Sequence, residues 1–543
     1  MASAEVDMSA LATTPDPDAA PASAGTSHPP GQPGWDRDGP QAPLQGSQLL
    51  LAGLVLASAN FIAVLDTTIA NVSVPTIAGN LGATSSQGTY VITSYAVAEA
   101  ITVPLTGWLA RRFGTVRVFA ASMLLFGLFS ALCGLAQSLG MLVLFRVFQG
   151  LAGGPLMPLS QTLLLKIFPK EKAAAATGLW AMTTLIAPIM GPILGGVICD
   201  NASWPYIFYI NVPVALLCAL AGWRLLRRYE TARDAARIDG VGLALLVVWV
   251  GAFQLMLDEG KDLDWFASPK IVALGLVALI GFVAFLIWER DTPNPVVDLN
   301  VFRHRGFSAS VLTISLAFGA FFGATVLTPL WLQGTMGYTA TKAGLVTALS
   351  GILAVLSAPL AAQLSTRVDP RRLVFLGVGW LGAVTLYRSF ASPDMGFWEI
   401  GLPLLAMGVG LPFFFVPLSA LALSSVEEAE TASAAGLMNF CRTVSGAFAT
   451  SLVNTSWEDR STLAHAELAG LTDRFGGLAE QLRQSGFTPE QVLAQINQMV
   501  SSQSVTLATN QVFWVSGCAF ALAAAAVWLA PRPSRVADTS GVH

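Results

Sequence analysis

Four ionisable side chains fall inside apolar runs long enough to cross a bilayer: Asp66, Glu99, Arg146 and Arg442. A charge within a membrane span costs from about 2.5 kcal/mol upward, so such a group faces protein or water and marks a path for ions or substrate. The chemistry open to these four is proton uptake, ion pairing and charge recognition. Asp66 shares a helical face with Ala59, Ala63, Ala70 and Ser73, small residues that let a neighbouring helix come close. Arg146, Gln149, Gly150 and Gly153 share another face. An arginine cannot discard its charge, so a buried Arg146 needs an anion, and Asp66 is the natural one. A carboxylate balanced between desolvation and a nearby cation can exchange a proton near neutrality. Asp66 is therefore either a proton-coupling site biased by Arg146, or one end of a structural ion pair.

Two further polar faces could serve a substrate. Tyr95, Glu99, Thr102 and Thr106 recur at i, i+4, i+7 and i+11 in an otherwise apolar span. Glu99 either binds protons or cationic substrate, or meets water near the outer end of its helix. Asn439, Arg442, Gly446 and Thr450 form the second face, where Arg442 is either a substrate contact or a pin to neighbouring carbonyls. The aromatics Phe318, Phe322, Trp331, Phe413 and Phe414 either wall an apolar cavity between the halves or pack against lipid.

The elements that position these groups are helices in lipid. The 543-residue chain is 54% hydrophobic and only 11% charged, with mean hydropathy +0.62. Soluble domains carry about 25% charged residues, so the surface of this one is covered by hydrocarbon. Apolar runs of membrane length lie at roughly 49–73, 88–109, 116–136, 139–163, 173–198, 205–226, 240–258, 270–289, 307–332, 342–364, 372–391, 398–422, 432–453 and 507–530. The chain thus reads as an all-α polytopic membrane protein with fourteen transmembrane helices. Alternate loops are basic, holding Arg111, Arg112 and Arg117, then Lys166, Lys170 and Lys172, then Arg224 to Arg237, then Arg290, Arg303 and Arg305, then Arg367, Arg371 and Arg372. That asymmetry places both termini in the cytoplasm. Residues 1–46 read as a disordered tail, and 531–543 as a second cytoplasmic tail.

One outer connection is long, about fifty residues over 454–503. Thr488-Pro489-Glu490-Gln491 reads as a capped helix start, and Val492, Leu493, Ile496, Met499 and Val500 follow at helical spacing. An amphipathic helix outside the membrane is expected, with its apolar side turned inward, serving as a lid or as a docking surface.

Several functions are excluded. A formal net charge of −4 is not that of a nucleic-acid binder. No GxxxxGK[ST] loop is present, so the chain holds no P-loop ATPase. His28, His304, His465 and His543 lie outside the spans, and the five cysteines are scattered, which leaves no intramembrane metal site and argues against an enzyme.

Leu65-Asp66-Thr67-Thr68-Ile69-Ala70-Asn71-Val72, Gly107-Trp108-Leu109-Ala110-Arg111-Arg112-Phe113-Gly114, Arg146 to Gly150, and Gly191-Pro192 with Gly195-Gly196 occur in order at helices one, two, four and five. In these motifs, and in Asn439-Phe440-Cys441-Arg442-Thr443, the chain resembles the major facilitator superfamily, in its fourteen-helix branch of drug:proton antiporters (EmrB/QacA type). The resemblance runs from about 48 to 530. It implies a six-helix bundle over 47–230, two extra helices over 231–300, and a second six-helix bundle over 301–530 that includes the periplasmic segment 454–503. It implies gating and packing roles for Gly107, Arg111, Arg112, Gly114, Gln149, Gly150, Pro188, Gly191, Pro192 and Gly195. It also implies export of amphiphilic drugs across a bacterial inner membrane, driven by the proton gradient without a cofactor. The partners implied are a periplasmic adaptor of EmrA type and an outer-membrane channel of TolC type. Arg111 stands where that superfamily usually has an acid, and Ala187 replaces the first glycine of the antiporter motif. The competing readings are a metabolite exporter or importer of the same superfamily, and a membrane receptor or scaffold that moves nothing.

Overall fold

The computed structural model describes residues 44–532 except 84–87, 89, 170–171, 232, 234–238, 294, 428–429 and 471–475. The two expected tails therefore lie almost wholly outside the described residues.

Helices follow one another with short breaks. They are α1 (Gly46–Asn80), α2 (Tyr90–Phe113), α3 (Thr115–Gly134), α4 (Leu139–Gly153) with α5 (Leu156–Ile167), α6 (Ala173–Asn201), and short α7 (Tyr206–Tyr209) with α8 (Asn211–Leu226). After them come α9 (Gly240–Glu259), α10 (Pro269–Asp291), α11 (Arg305–Gly334), α12 (Ala340–Ser365), α13 (Pro370–Arg388), α14 (Phe397–Ser424), α15 (Thr431–Ala469), α16 (Gly476–Gln484) and α17 (Pro489–Ala526). Counting α4–α5 and α7–α8 as single broken rods, and setting aside short α16, the described residues give fourteen rods of membrane length. Among the described residues ten of these rods are both long and apolar enough to span, and α6 makes an eleventh if its 42° bend between Pro188 and Ile193 is allowed. The remaining rods carry the polar cargo: Glu99 and its threonines on α2, Arg371 and Arg388 on α13, Asn439 and Arg442 on α15.

Burial is inverted relative to a water-soluble protein. Asp66, Arg146, Gln149 and Asn211 are fully buried, while Leu276, Leu279, Ile280, Val283 and Ile287 of α10 are exposed. Such a surface is stable only against hydrocarbon.

Each half closes on itself: α1 packs on α6 and α8, α2 on α4, and α3 on α8, while α11 packs on α15 and α17, and α13 on α14 and α17. The halves meet along two antiparallel seams. On one, α6 lies against α12, with Gly178 opposite Ala362 and Ile193 opposite Gly344. On the other, α2 lies against α15, with Gly107 opposite Ser433 and Gly436 opposite the Val103 carbonyl. The α9–α10 hairpin straps the second seam from outside: Asp258 accepts from Thr93 Oγ1 (2.6 Å) on α2, and Ser451 Oγ of α15 donates to Leu257 O (2.7 Å).

The capped start at Thr488 is present: Thr488 Oγ1 accepts from Gln491 N, and Gln491 Oε1 accepts from Thr488 N. Two expectations about it are corrected. The helix is not separate from the last span but continuous with it, because no proline interrupts it between Pro489 and Ala526 and a helix needs only its own i→i−4 bonds to continue from water into lipid. Its apolar side is also divided. Val492 and Val500 are buried, but Leu493 and Met499 are exposed, as are Glu490, Gln491, Gln495 and Gln498. The preceding span likewise runs on as helix to Ala469.

Candidate functional site

The first constellation lies inside the N-terminal half. Small residues bring α4 against α2 and α6 against α1, and the side chains of Asp66 on α1 and Arg146 on α4 meet across the dry core between them. Arg146 Nη1 donates to Asp66 Oδ2 (2.6 Å) and to Gln149 Oε1 (2.9 Å), and its Nε donates to the Val91 carbonyl (3.0 Å). Asp66 Oδ1 accepts from Gln149 Nε2 (3.0 Å) and Asn211 Nδ2 (2.5 Å). The guanidinium lies over Tyr95, 4.2 Å from its ring centre, and Nη2 has no hydrogen-bond partner among the described residues. Asn211 also donates to Ser130 Oγ (3.1 Å), tying α8 and α3 to the pair. The expected pair is thus formed, and Gln149 bonds both of its members. Tyr95 belongs with this pair as the floor beneath Arg146. Asn211, at the break between α7 and α8, is a member that sequence reading missed.

The second constellation lies where the halves meet. Arg442 of α15 is surrounded by the rings of Phe318, Trp180 and Phe415, at 5.1, 5.7 and 5.8 Å from its guanidinium carbon. Its Nη2 reaches Met157 Sδ (3.5 Å), and Nη1 has no hydrogen-bond partner among the described residues. Asn439 Nδ2 donates to Gln161 Oε1 across the seam (3.4 Å). Asn439 Oδ1, Gln161 Nε2 and Ser419 Oγ are buried without hydrogen-bond partners among the described residues. Buried polar atoms of this kind are rare unless water or a ligand meets them. Glu99 is buried on α2 and makes no hydrogen bond or ion pair among the described residues.

The five candidate aromatics do not form one group. Phe318 stacks on Phe322 (5.6 Å) and meets Phe414 (5.9 Å) and Phe415 (5.2 Å). Trp331 lies apart from them, its Nε1 donating to Thr506 of α17 (3.1 Å), and Phe413 joins no ring pair among the described residues. Trp180 and Phe415, stacked on each other at 5.6 Å, were not singled out by sequence. An aromatic in an apolar helix carries no signal of which way it faces.

The packing residues act by close approach. A Cβ on Gly107 would strike Ser433, one on Gly150 would strike the Tyr95 carbonyl and Ala98, and one on Gly191 or Gly195 would strike Thr68 or Ile69 of α1. Arg111 Nη1 donates to Ser433 Oγ (3.4 Å), so the basic residue in the acidic position reaches the other half. Arg112 is half-buried beside it. Gly114 has φ +94°, and a Cβ there would strike the carboxylate of Glu230. That carboxylate accepts from Val116 N (3.0 Å) and Arg117 N (3.1 Å), placing a negative charge on the N-terminus of α3. Glu230 had no periodic signal, since it follows α8 far along the chain. Pro188 is half-buried at the bend of α6, and the side chain of Pro192 lies outside the described residues.

His304, Glu427 and Glu430 come close enough to share a metal ion. Arg303 Nη2 already bridges both carboxylates at 2.9 Å each, which supplies the positive charge there.

The family model of the Major Facilitator Superfamily matches residues 56–450. The chain is 44% identical to the multidrug export protein EmrB of Escherichia coli K12, over 91% of this chain and 97% of that protein. It is 42% identical to the fatty acid resistance protein FarB of Neisseria gonorrhoeae (90% and 98% covered). It is 41% identical to the probable multidrug resistance protein EmrY of Escherichia coli K12 (91% and 97%). Among solved structures, the fold is similar to a bacterial homologue of the human lysosomal transporter Spinster in an inward-facing, unoccupied conformation. The TM-score there is 0.52 at 14% identity, covering 90% of this chain and all of that one. It is also similar to the human organic anion transporter MFSD10, with TM-score 0.53 at 11% identity, covering 88% of this chain and all of that one. The order of motifs, the fourteen helical rods and these likenesses agree: the chain belongs to the major facilitator superfamily, in the family of the EmrB multidrug export proteins.

Proposed function

We propose that this inner-membrane protein exports amphiphilic drugs in exchange for protons, acting as a transporter rather than an enzyme, with both termini in the cytoplasm. The observation that carries the reading is the aromatic cage around Arg442, walled by both halves and lined with unpaired polar atoms. Non-directional apolar burial suits chemically varied amphiphiles, and a few polar anchors orient them. Rocking of the halves about the α6–α12 and α2–α15 seams would expose the cage to each side in turn. Asp66 supplies the coupling carboxylate. Protonating it would release Arg146, whose other contacts include Val91 and Tyr95 of α2, the helix that lines the seam. The relatives named for multidrug export support the substrate class.

The extension built from the ends of α15 and α17 is the surface for a periplasmic adaptor of EmrA type, which would pass substrate to a TolC-type channel. Exposed Leu463, Phe487, Leu493 and Met499 on that extension favour a partner over a self-contained lid. Inverted vesicles carrying the chain, energised by a pH gradient, test the transport reading. Drug accumulation that collapses with the gradient supports it, and accumulation indifferent to the gradient refutes it.

A further inference from the structure

Glu99 and Arg442 face the same seam from opposite halves, and each lacks an ionic partner. With Gly107 opposite Ser433 and Gly436 opposite Val103, antiparallel α2 and α15 bring Glu99 to the level of Phe440 to Arg442. Both side chains are more than nine-tenths buried, yet no salt bridge closes between them among the described residues. The other charges around Glu99 are accounted for. Asp66 on α1 and Arg146 on α4 neutralise each other at 2.6 Å, and Tyr95 on α2 lies under Arg146. Asp258 of α9 is bonded to Thr93, away from the cage. The surfaces that α5, α6 and α14 turn to Arg442 are Met157, Trp180 and Phe415. What remains along this part of the seam is one buried anion and one buried cation with no salt bridge between them among the described residues.

We propose that Glu99 is the charge filter of the substrate site: an anionic amphiphile occupies Arg442 only by driving one proton onto Glu99. This rests on reading the cage as the drug site. A single guanidinium neutralises one anion. A second anion in a site this dry repels the first, and the relief available is protonation of the weaker acid. In that step the anion binds Arg442, Glu99 takes a proton from water to become a neutral carboxylic acid, and the net charge of the site stays the same. For a proton-driven exporter the consequence is direct. A substrate that brings a proton into its own bound state carries that proton outward and forfeits the exchange. A neutral or cationic amphiphile leaves Glu99 ionised and ready to take a proton from outside. Glu99 therefore biases the pump towards neutral and cationic drugs.

The test uses the full-length protein in lipid nanodiscs, with octanesulfonate as an anion at every working pH and tetraphenylphosphonium as a cation. Proton exchange is read in weakly buffered solution as each probe is titrated in. The wild type should take up about one proton per sulfonate bound and none per phosphonium. Its sulfonate affinity should fall by up to tenfold per pH unit once Glu99 is ionised. Glu99→Gln should bind sulfonate without proton uptake and without pH dependence, and Glu99→Asp should restore the uptake. Unchanged uptake in Glu99→Gln, or none in the wild type, overturns the proposal while leaving the cage as the drug site. Sulfonate binding that Arg442→Gln leaves intact overturns the cage reading and the proposal with it. Thermal melting of each variant separates loss of folding from loss of uptake.

Discussion

Arg146 makes a hydrogen bond to each of Asp66, Gln149 and the Val91 carbonyl and lies flat on Tyr95, so one guanidinium organises α1, α2 and α4. Its neutralisation by Asp66 allows it to remain buried. Asp66→Asn should leave an uncompensated cation in that core and lower stability by about 3–5 kcal/mol, while the double variant Asp66→Asn/Arg146→Gln recovers most of the loss. Thermal melts of the single and double variants check this, and additive losses would show that the pair is not coupled. Transport should stay lost in the double variant, because no carboxylate remains to carry the exchange. The pair was legible from residue types alone: an arginine in lipid demands an anion, and one lay on a face of small residues. Asn211 was not singled out, because a neutral polar residue near the start of an apolar run, here 205–226, carries no sign of which way it faces. Trp180 and Phe415 were hidden for a different reason. Aromatics on an all-apolar helix look alike whether they face lipid or a cation.

At the scale of elements, the seams between helices are set by where a Cβ can be tolerated. Gly195 and Gly196 are neighbours on α6, yet a Cβ on Gly195 would come within 2.7 Å of the Ile69 carbonyl, and one on Gly196 would meet nothing within 4 Å. Gly195→Ala should therefore push α6 off α1 and cost about 1–3 kcal/mol, whereas Gly196→Ala should be neutral or slightly stabilising. Equal effects of the two substitutions on melting would contradict the packing. The helix start at Thr488 was legible because its cap is local. Thr488→Ala should cost about 1 kcal/mol of local stability and speed amide exchange over 489–500 without changing the transmembrane core. Unaltered exchange there would mean that tertiary contacts hold the helix start. The continuity of α17 was not legible. A hydropathy window ends where polar residues begin, but the backbone ladder does not depend on side-chain polarity.

Over the whole molecule, fourteen apolar runs became fourteen rods, and their edges moved mainly where helices run on into water. Which rods face each other across the centre could not be read from one sequence, since α2 and α15 meet through residues more than three hundred positions apart. The extension of α15 and α17 stands on the α9–α10 loop through Lys261 with Glu458 (2.6 Å) and Trp265 Nε1 with Thr455 Oγ1 (3.0 Å). Replacing residues 454–503 by a short Gly/Ser linker should abolish co-purification with an EmrA-type adaptor and spare proton-coupled transport in vesicles. Retained adaptor binding would refute the docking role, and lost vesicle transport without adaptor would favour a lid. The most direct measurement of the central claim is drug-dependent proton movement in proteoliposomes holding the purified full-length chain under an imposed pH gradient. The account predicts uphill drug movement against an opposite proton flux, with the drug-dependent proton flux abolished in Asp66→Asn although that variant still inserts and binds drug. Undiminished drug-dependent proton flux in Asp66→Asn, or drug movement with no accompanying proton flux in the wild type, would contradict it.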